Sequence, residues 1–474
     1  MKTAKDETKA KPTRLFRHNR TFFTMFVATM MTLMLMVTGC SPAAKTDNGS
    51  STSQEKDRVT ETQRKDRVTS AVKDKNYKLE ETVILSRHNI RAPLADKDSD
   101  LYKMTPHKWH EWSSATSELS LRGGNLETLM GQYFRKYLVS KNLMTENENP
   151  SDKAVRIYAN SMQRTIATAR YFSSGFLPVA NTDVEYHEKL GTMDPVFNPQ
   201  LTFLNDAFTK RAMDEIGTMG GKQGIGGIEK GLTKEYKLLA NVLDLKDSEK
   251  GKKEDYAKFP TNDLKINFEL NKEPALTGSL KPATTASDAL TLQYYEEPNA
   301  KKAAFGEKLT ESQWEEISKI KDVYGEVLFT APVVAQNVAN PMLKEIKSEL
   351  TNKNRKFTFL SGHDSNVCSV LAALDFKDYK LPNAIEKEAP IGGKVVMEKW
   401  KGADGKQFIT FKMIYLSVDQ IRNVQAIDLD NPPMVYDLSI KDLKKNSDGM
   451  YNFNDVITHF DQSIAAYDTL KAGK

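Results

Sequence analysis

Thr82-Val83-Ile84-Leu85-Ser86-Arg87-His88-Asn89-Ile90-Arg91-Ala92-Pro93 contains the change of texture on which the fold turns. A short apolar run rich in β-branched residues, too short for a helix, gives way at once to a cationic stretch closed by proline. Such a run is a buried strand opening into a loop. The same break recurs at Val155-Arg156-Ile157-Tyr158-Ala159-Asn160, where Ser161 can cap a helix whose first turn contains Arg164. It recurs again at Lys356-Phe357-Thr358-Phe359-Leu360-Ser361-Gly362, which leads into His363-Asp364 and a helix from about Ser365 to Leu374. Each polar cluster follows the carboxyl end of a strand.

Between the first two strands, Leu126, Leu129, Met130, Tyr133, Phe134, Tyr137 and Leu138 fall on one face of an amphipathic helix. The order strand, helix, strand, helix predicts an α/β protein with a mostly parallel sheet and helices on both faces. Such sheets bind ligands in the crevice beyond the strand carboxyl ends, where the three clusters would meet. The expected core is 78–195 with 285–465, interrupted by a mostly helical cap at 196–284 that closes over the pocket.

The chain has 474 residues, 39% of them hydrophobic, with 17 Tyr, 21 Phe and 4 Trp, enough to pack such a core. Its net charge of +5 resides in residues 1–20, which hold seven Lys and Arg against Asp6 and Glu7. The rest is formally neutral, so no nucleic-acid partner is expected. After Arg20 come the uncharged residues Thr21 to Thr38, then Gly39-Cys40-Ser41. This pattern resembles a bacterial lipoprotein signal: a leader at 1–39, diacylglycerol on Cys40, and a polar tether at 40–77 that cannot bury enough apolar surface to order itself. The expected location is extracytoplasmic, on a bacterial membrane. Cys368 is the only other cysteine, so no intramolecular disulfide is expected, and its apolar surroundings from Val367 to Leu374 mark it as a packing residue.

Arg87, Arg91 and Arg164 supply planar donor forks suited to phosphate oxygens, and the helix amino termini after Asn160 and Asp364 add N–H groups. Among those cations His88 would stay neutral and nucleophilic toward phosphorus. A protonated Asp364 would supply the leaving alkoxide with its proton, which favours an acidic working pH. The arginines stabilise the transferring phosphoryl group, so neither metal nor cofactor is expected.

Arg87 to Pro93 resembles the RHGxRxP signature of the histidine acid phosphatases, and His363-Asp364 resembles their HD motif. SRHNIRAPLA at 86–95, YANSMQRTIATA at 158–169, LGTMDPVFNP at 190–199, DALTLQYYE at 288–296, GHDSNVCSVLAALDF at 362–376 and APIGGKVV at 389–396 are similar to the glucose-1-phosphatase branch. The resemblance covers about 78 to 465. It implies a phosphohistidine on His88, phosphate contacts from Arg87, Arg91, Arg164 and His363, proton donation by Asp364, and a pocket-lining glutamate at Glu273 in Lys272-Glu273-Pro274. The implied substrates are phosphomonoesters, glucose 1-phosphate first and inositol phosphates second. Asn89 stands where the family usually has glycine, and its side chain is expected to narrow the approach to His88.

His107, His110 and Glu111 hint at a metal site, but no further ligand completes a shell, and a pocket-rim loop bringing Trp109 and Trp112 toward substrate is the better reading. His187 and His459 read as satisfied histidines. Gly220 to Gly227 lacks the preceding strand and the Gly-Lys-Ser/Thr of a phosphate loop, and reads as a flexible connection. Two other functions compete: a non-catalytic lipoprotein that captures sugar phosphates, and phosphotransfer to a sugar. A homodimer stays open.

Overall fold

The structure, a computed structural model, describes residues 76–473 apart from 147, 181 and 255. The leader at 1–39, Cys40 and almost all of the expected tether lie outside the described residues. Strand β1 (Tyr77–Arg87) begins at the tether's last expected position. It is followed by α1 (Leu121–Ser140), β2 (Val155–Ala159) and α2 (Gln163–Phe176). Next come α3 (Asp206–Met219), α4 (Thr233–Val242) and the hairpin β3 (Lys265–Asn267) and β4 (Ala275–Thr277). The chain continues through α5 (Leu280–Glu296), α6 (Glu311–Phe329), α7 (Pro332–Val338) and α8 (Asn340–Leu350). It ends with β5 (Phe357–Gly362), α9 (Asp364–Ala373), β6 (Lys394–Gly402), β7 (Gln407–Tyr415), β8 (Met434–Asp437), β9 (Tyr451–Asn452) and α10 (Phe453–Lys471).

The main sheet runs β2-β5-β1-β6-β7-β8, with β9 beside β7. β5 pairs in parallel with both β1 and β2. The parallel expectation holds for this half, which carries the polar clusters. From β1 through β6 and β7 to β8 every pairing is antiparallel, so the whole sheet is mixed. Arg87 sits opposite Gly362 and Ala159 opposite Ser361, so the register brings three strand ends side by side.

Helices cover both faces, as the unbroken apolar runs of β1 and β5 require. Ile84, Ile157 and Phe359 join the cluster packed under α1 and α2, with Phe134 and Phe172. Val83, Leu85, Tyr158 and Leu360 point the other way, into a cluster with Ile346, Val370 and Phe460 from α8, α9 and α10. Two glycines set how closely α1 and α2 approach: a Cβ on Gly131 would lie 2.2 Å from the Phe172 carbonyl oxygen, and one on Gly175 2.1 Å from that of Thr128.

Residues 196–284 contain α3, α4 and the hairpin. Their apolar residues Phe208, Leu239 and Leu276 belong to the same contiguous cluster as Leu290 of α5 and Trp314 of α6. Helix α5 runs unbroken across the expected 284/285 boundary. Gly220 to Gly227 forms short helical turns rather than a loose connection, with the carbonyl of Gly220 only 2.0 Å from where a Cβ on Gly227 would be. Among the described residues no helix is long and apolar enough to cross a membrane.

Candidate active site

A cavity of about 330 Å³ opens at the carboxyl ends of the parallel strands, lined by His88, Arg91, Arg164, Glu273, His363 and Asp364 among others. His88 follows β1, Arg164 is the second residue of α2, and His363 and Asp364 stand between β5 and α9. Parallel pairing gathers residues separated by as much as 276 positions. Ser161 does not cap α2: its hydroxyl accepts from the Glu188 N–H, and the helix starts two residues later at Gln163.

The His88 side chain is buried, 3% exposed, and its Nδ1 lies 2.9 Å from the Asn89 carbonyl oxygen. Because a carbonyl only accepts, the proton of the neutral ring belongs on Nδ1 and the lone pair on Nε2. Burial first, then Arg164 and Arg91, hold the imidazole well below its ordinary value, so it stays neutral. His363 is depressed in the same way, by burial and Arg164 with Asp364 opposing, and its ring centroid is 5.5 Å from that of His88. Asn160 orients it. Asn160 Oδ1 accepts from the Ser161 and Asp194 N–H groups, which leaves Nδ2 to donate to His363 Nε2 at 2.7 Å.

The arginines divide the work unevenly. Arg164 has no hydrogen-bond or ion-pair partner among the described residues, and burial with Arg91 beside it lowers its guanidinium to about 10. Arg91 gives one nitrogen to Asp288 Oδ2 at 2.9 Å and another to the Ala92 carbonyl. Arg87 does not line the cavity: it donates from Nη1 to Glu386 and to the Ala389 carbonyl, and Nη2 lies 3.6 Å from Asp364. The Nε atoms of all three are buried without a partner among the described residues. Such a convergence of unpaired donors suits a tetrahedral anion.

The charges around Asp364 favour its carboxylate in the free pocket, whereas the donor role read from the sequence calls for the protonated acid. Burial works to raise its carboxyl, but Lys321, Arg87 and His88 outweigh it and hold it well below the ordinary carboxylate range. Lys321 Nζ, from α6, stands 3.1 Å from Asp364 Oδ2 and 3.2 Å from Glu386 Oε1. Glu273 lies on the β3–β4 turn, exposed to solvent yet lining the mouth; loss of water on its pocket side, then Asp364, raise it against the pull of Arg164.

Lys321, Glu386 and Asp288 escaped the sequence reading. Asp288 opens the DALTLQYYE stretch, which carried no assigned role. The other two are single residues, Lys321 on α6 and Glu386 in the loop before β6, with no local signature. Asn89 also differs from expectation: its φ is not positive, and its side chain turns away from the pocket to donate to Glu127 at 2.9 Å, so it does not narrow the approach to His88. Trp109 is buried in the core and Trp112 packs against it, and neither lines the cavity.

His107 bonds Asp244 at 2.7 Å and stacks on Phe305, while His110 lies 3.7 Å from Glu297. Among the described residues no group of three or more His, Cys, Asp or Glu side chains is placed to hold a metal ion. His187 bonds Glu185 and His459 the Leu374 carbonyl. Cys368 is half-buried between the two apolar clusters and touches the cavity wall, where burial pushes its thiol well above the ordinary value.

A buried neutral imidazole, a ring of guanidinium groups and a carboxylate at parallel strand ends define a phosphoryl-transfer site built from side chains. The chain belongs to the histidine phosphatase superfamily (branch 2), which matches residues 78–415. It is a histidine acid phosphatase, a phosphoric monoester hydrolase. It is 38% identical over 379 residues to the glucose-1-phosphatase of Salmonella typhimurium, covering 79% of this chain and 89% of that protein. It is 35% identical to the glucose-1-phosphatase of Providencia rettgeri, covering 80% and 90%. Among solved structures, the phytase of Citrobacter braakii superposes with a TM-score of 0.74 at 26% identity, covering 82% of this chain and 98% of that one. The binding-only lipoprotein reading finds no support among these enzymes.

Proposed function

We propose that this protein hydrolyses the phosphate ester of a sugar, glucose 1-phosphate foremost, through a phosphohistidine on His88. The observation that carries the reading is the buried neutral His88, its Nε2 free, beside three arginines whose Nε atoms lack partners. Nε2 attacks phosphorus, the P–O bond to the sugar breaks, and the leaving alkoxide takes a proton from Asp364. Water then attacks the phosphohistidine with Asp364 as base, the P–N bond breaks, and inorganic phosphate departs. Arg91, Arg164 and His363 hold the phosphoryl oxygens, and Arg87 supports them from behind Asp364.

Asp364 must gain its proton in the complex. An incoming phosphate dianion offsets Lys321 and Arg87, which raises the carboxyl. Substrates delivered as monoanions at acidic pH bring the proton with them.

For the alcohol, Glu273 at the mouth favours sugar hydroxyls over a second phosphate, which supports a sugar monophosphate over inositol hexakisphosphate. Residues 196–284 act as the cap in this reading, with Glu273, Pro274, Lys281 and Thr284 as its contribution to the cavity wall. The leader, lipidation at Cys40 and extracytoplasmic anchoring complete the proposal. They are supported by the order of basic, uncharged and Gly39-Cys40 residues. A Cys40→Ser chain that stays in the membrane fraction would overturn the anchor.

The deciding assay is phosphate release by residues 41–474 from glucose 1-phosphate, inositol hexakisphosphate and an aryl phosphate at acidic pH with a chelator present. His88→Ala should abolish release and leave no acid-labile phosphoprotein. Undiminished turnover in His88→Ala would sink the phosphohistidine.

A further inference from the structure

Every polar group of Asn89 is engaged, and of the four bonds only the one at its carbonyl reaches a cavity-lining residue, His88. Its N–H donates to Thr168 Oγ1 at 3.1 Å, its Oδ1 accepts from the Ile90 N–H at 2.9 Å, and its carbonyl receives His88 Nδ1 at 2.9 Å. Its amide Nδ2 donates to Glu127 Oε2 at 2.9 Å. Glu127, on α1, is 0% exposed, and its other oxygen lies 2.8 Å from Nζ of Lys394, also 0% exposed. Lys394 sits on β6, donates to the Gly392 carbonyl, and lies over the rings of Phe359 and Phe172. Gly392, at φ +65°, is pressed against the Asn89 amide: a Cβ there would lie 2.6 Å from Nδ2.

Burying an ion pair with no exposed face is costly, and a pair of apolar residues would pack this interior more cheaply. Here the pair keeps an acceptor on Glu127 for the residue that follows the nucleophile. We propose that Glu127 and Lys394 are positioning residues that act on His88 by way of Asn89, fixing the peptide whose carbonyl holds Nδ1–H and so aiming Nε2 into the pocket. A slack peptide at residue 89 would let the ring turn or exchange tautomers, placing the proton on the attacking nitrogen. This inference rests on the phosphohistidine reading for its consequence in catalysis, but not for the tautomer it assigns.

The test compares variants of the chain from residue 41. Asn89→Ala keeps an ordinary φ and removes the amide. Its kcat should fall at least about tenfold while the Ki of inorganic phosphate, set by the arginines, stays within about twofold. Two double variants separate positioning from packing. Glu127→Gln with Lys394→Met retains an acceptor oxygen for Asn89 and should recover kcat to within about threefold of wild type, whereas Glu127→Leu with Lys394→Met should match Asn89→Ala. The second readout is the ¹⁵N spectrum of histidine-labelled protein, in which wild-type His88 should show a protonated Nδ1 and Asn89→Ala a tautomer mixture.

Equal kcat in the two double variants, or wild-type kcat with an unchanged His88 spectrum in Asn89→Ala, would overturn the proposal. If Asn89→Ala does not fold, the two double variants still decide. A wild type with no phosphatase activity would sink the proposed function, and the His88 spectra would then judge the assigned tautomer alone.

Discussion

Lys321 Nζ lies 3.1 Å from Asp364 Oδ2 and 3.2 Å from Glu386 Oε1, so an ammonium from α6 joins the carboxylate that begins α9 to the one that holds Arg87. The proposed mechanism uses Asp364 in two states: protonated when the alcohol leaves, ionised when water attacks. Lys321 favours the second, and an incoming dianion favours the first. Burial alone would leave this carboxyl neutral, so the cations decide its state.

Lys321→Met should therefore raise the Asp364 carboxyl and move the alkaline limb of the kcat profile to higher pH by about one unit or more. The acid stays protonated further up the scale, while water activation weakens, so phosphoenzyme should accumulate. Lys321→Arg, which keeps the charge, should move the limb far less. Stopped-flow turnover with acid quench across the pH range measures both effects, and an unmoved limb in Lys321→Met would remove this account of Asp364.

Arg164 is the pocket guanidinium with no partner among the described residues, so its donors are available to the phosphoryl group. Arg164→Met should raise the Ki of inorganic phosphate about 10- to 100-fold, the worth of one or two charge-assisted hydrogen bonds. Arg164→Lys should recover only part of this, because an ammonium cannot span two oxygens with a planar fork. Phosphate inhibition measured against an aryl phosphate checks the series.

Asp322, next to Lys321, has its carboxyl raised from 3.8 to about 7, first by burial, with Glu386 and Glu326 adding to it and Lys321 and the Lys387 N–H opposing. A folded-state value above the unfolded one means that the fold prefers the protonated form. This contribution to stability is complete below the unfolded value and is lost as the pH rises through about 7. Asp322→Asn should reduce the fall in Tm between about pH 5 and about pH 8. Calorimetry at several pH values would show it, and parallel wild-type and variant curves would refute it.

Phe172 is fully buried in α2, its ring stacked 4.1 Å from that of Phe359 in β5. This contact ties the helix that carries Arg164 to the strand that leads into His363. Phe172→Ala should cost about 3–5 kcal/mol, the usual loss for a large aromatic truncated in a packed core. A urea midpoint within error of wild type would show that the two elements are held together elsewhere.

Half of the sheet could be read locally, because a strand with buried faces is written as a short, mostly apolar run, and those at Val83, Ile157 and Phe359 stop at polar clusters. The antiparallel half could not. Residues 394–402 and 407–415 carry Lys394, Glu398, Lys399 and Lys412, all buried, whose charges disguise interior strands until Glu127, Tyr137 and Glu81 are seen to meet them. Asn89 was misjudged for a related reason. Its neighbours in sequence are pocket residues, but its amide is satisfied by Glu127, 38 positions away and beneath the loop.

Local pattern along the chain points to the groups proposed to react. Arg87, His88, Arg91, Arg164, His363 and Asp364 all lie at strand ends or helix starts, where short-range pattern fixes a residue's place. Their charge states and their aim come from the packing of elements distant along the chain. Whether Asp364 bears a proton depends on Lys321, brought in by α6, and the direction of His88 Nε2 depends on a carbonyl held through Glu127 on α1 and Lys394 on β6. Coulombic and hydrogen-bond effects fall off over a few ångströms of space whatever the separation along the chain, so no local reading of residues 82–93 could contain them.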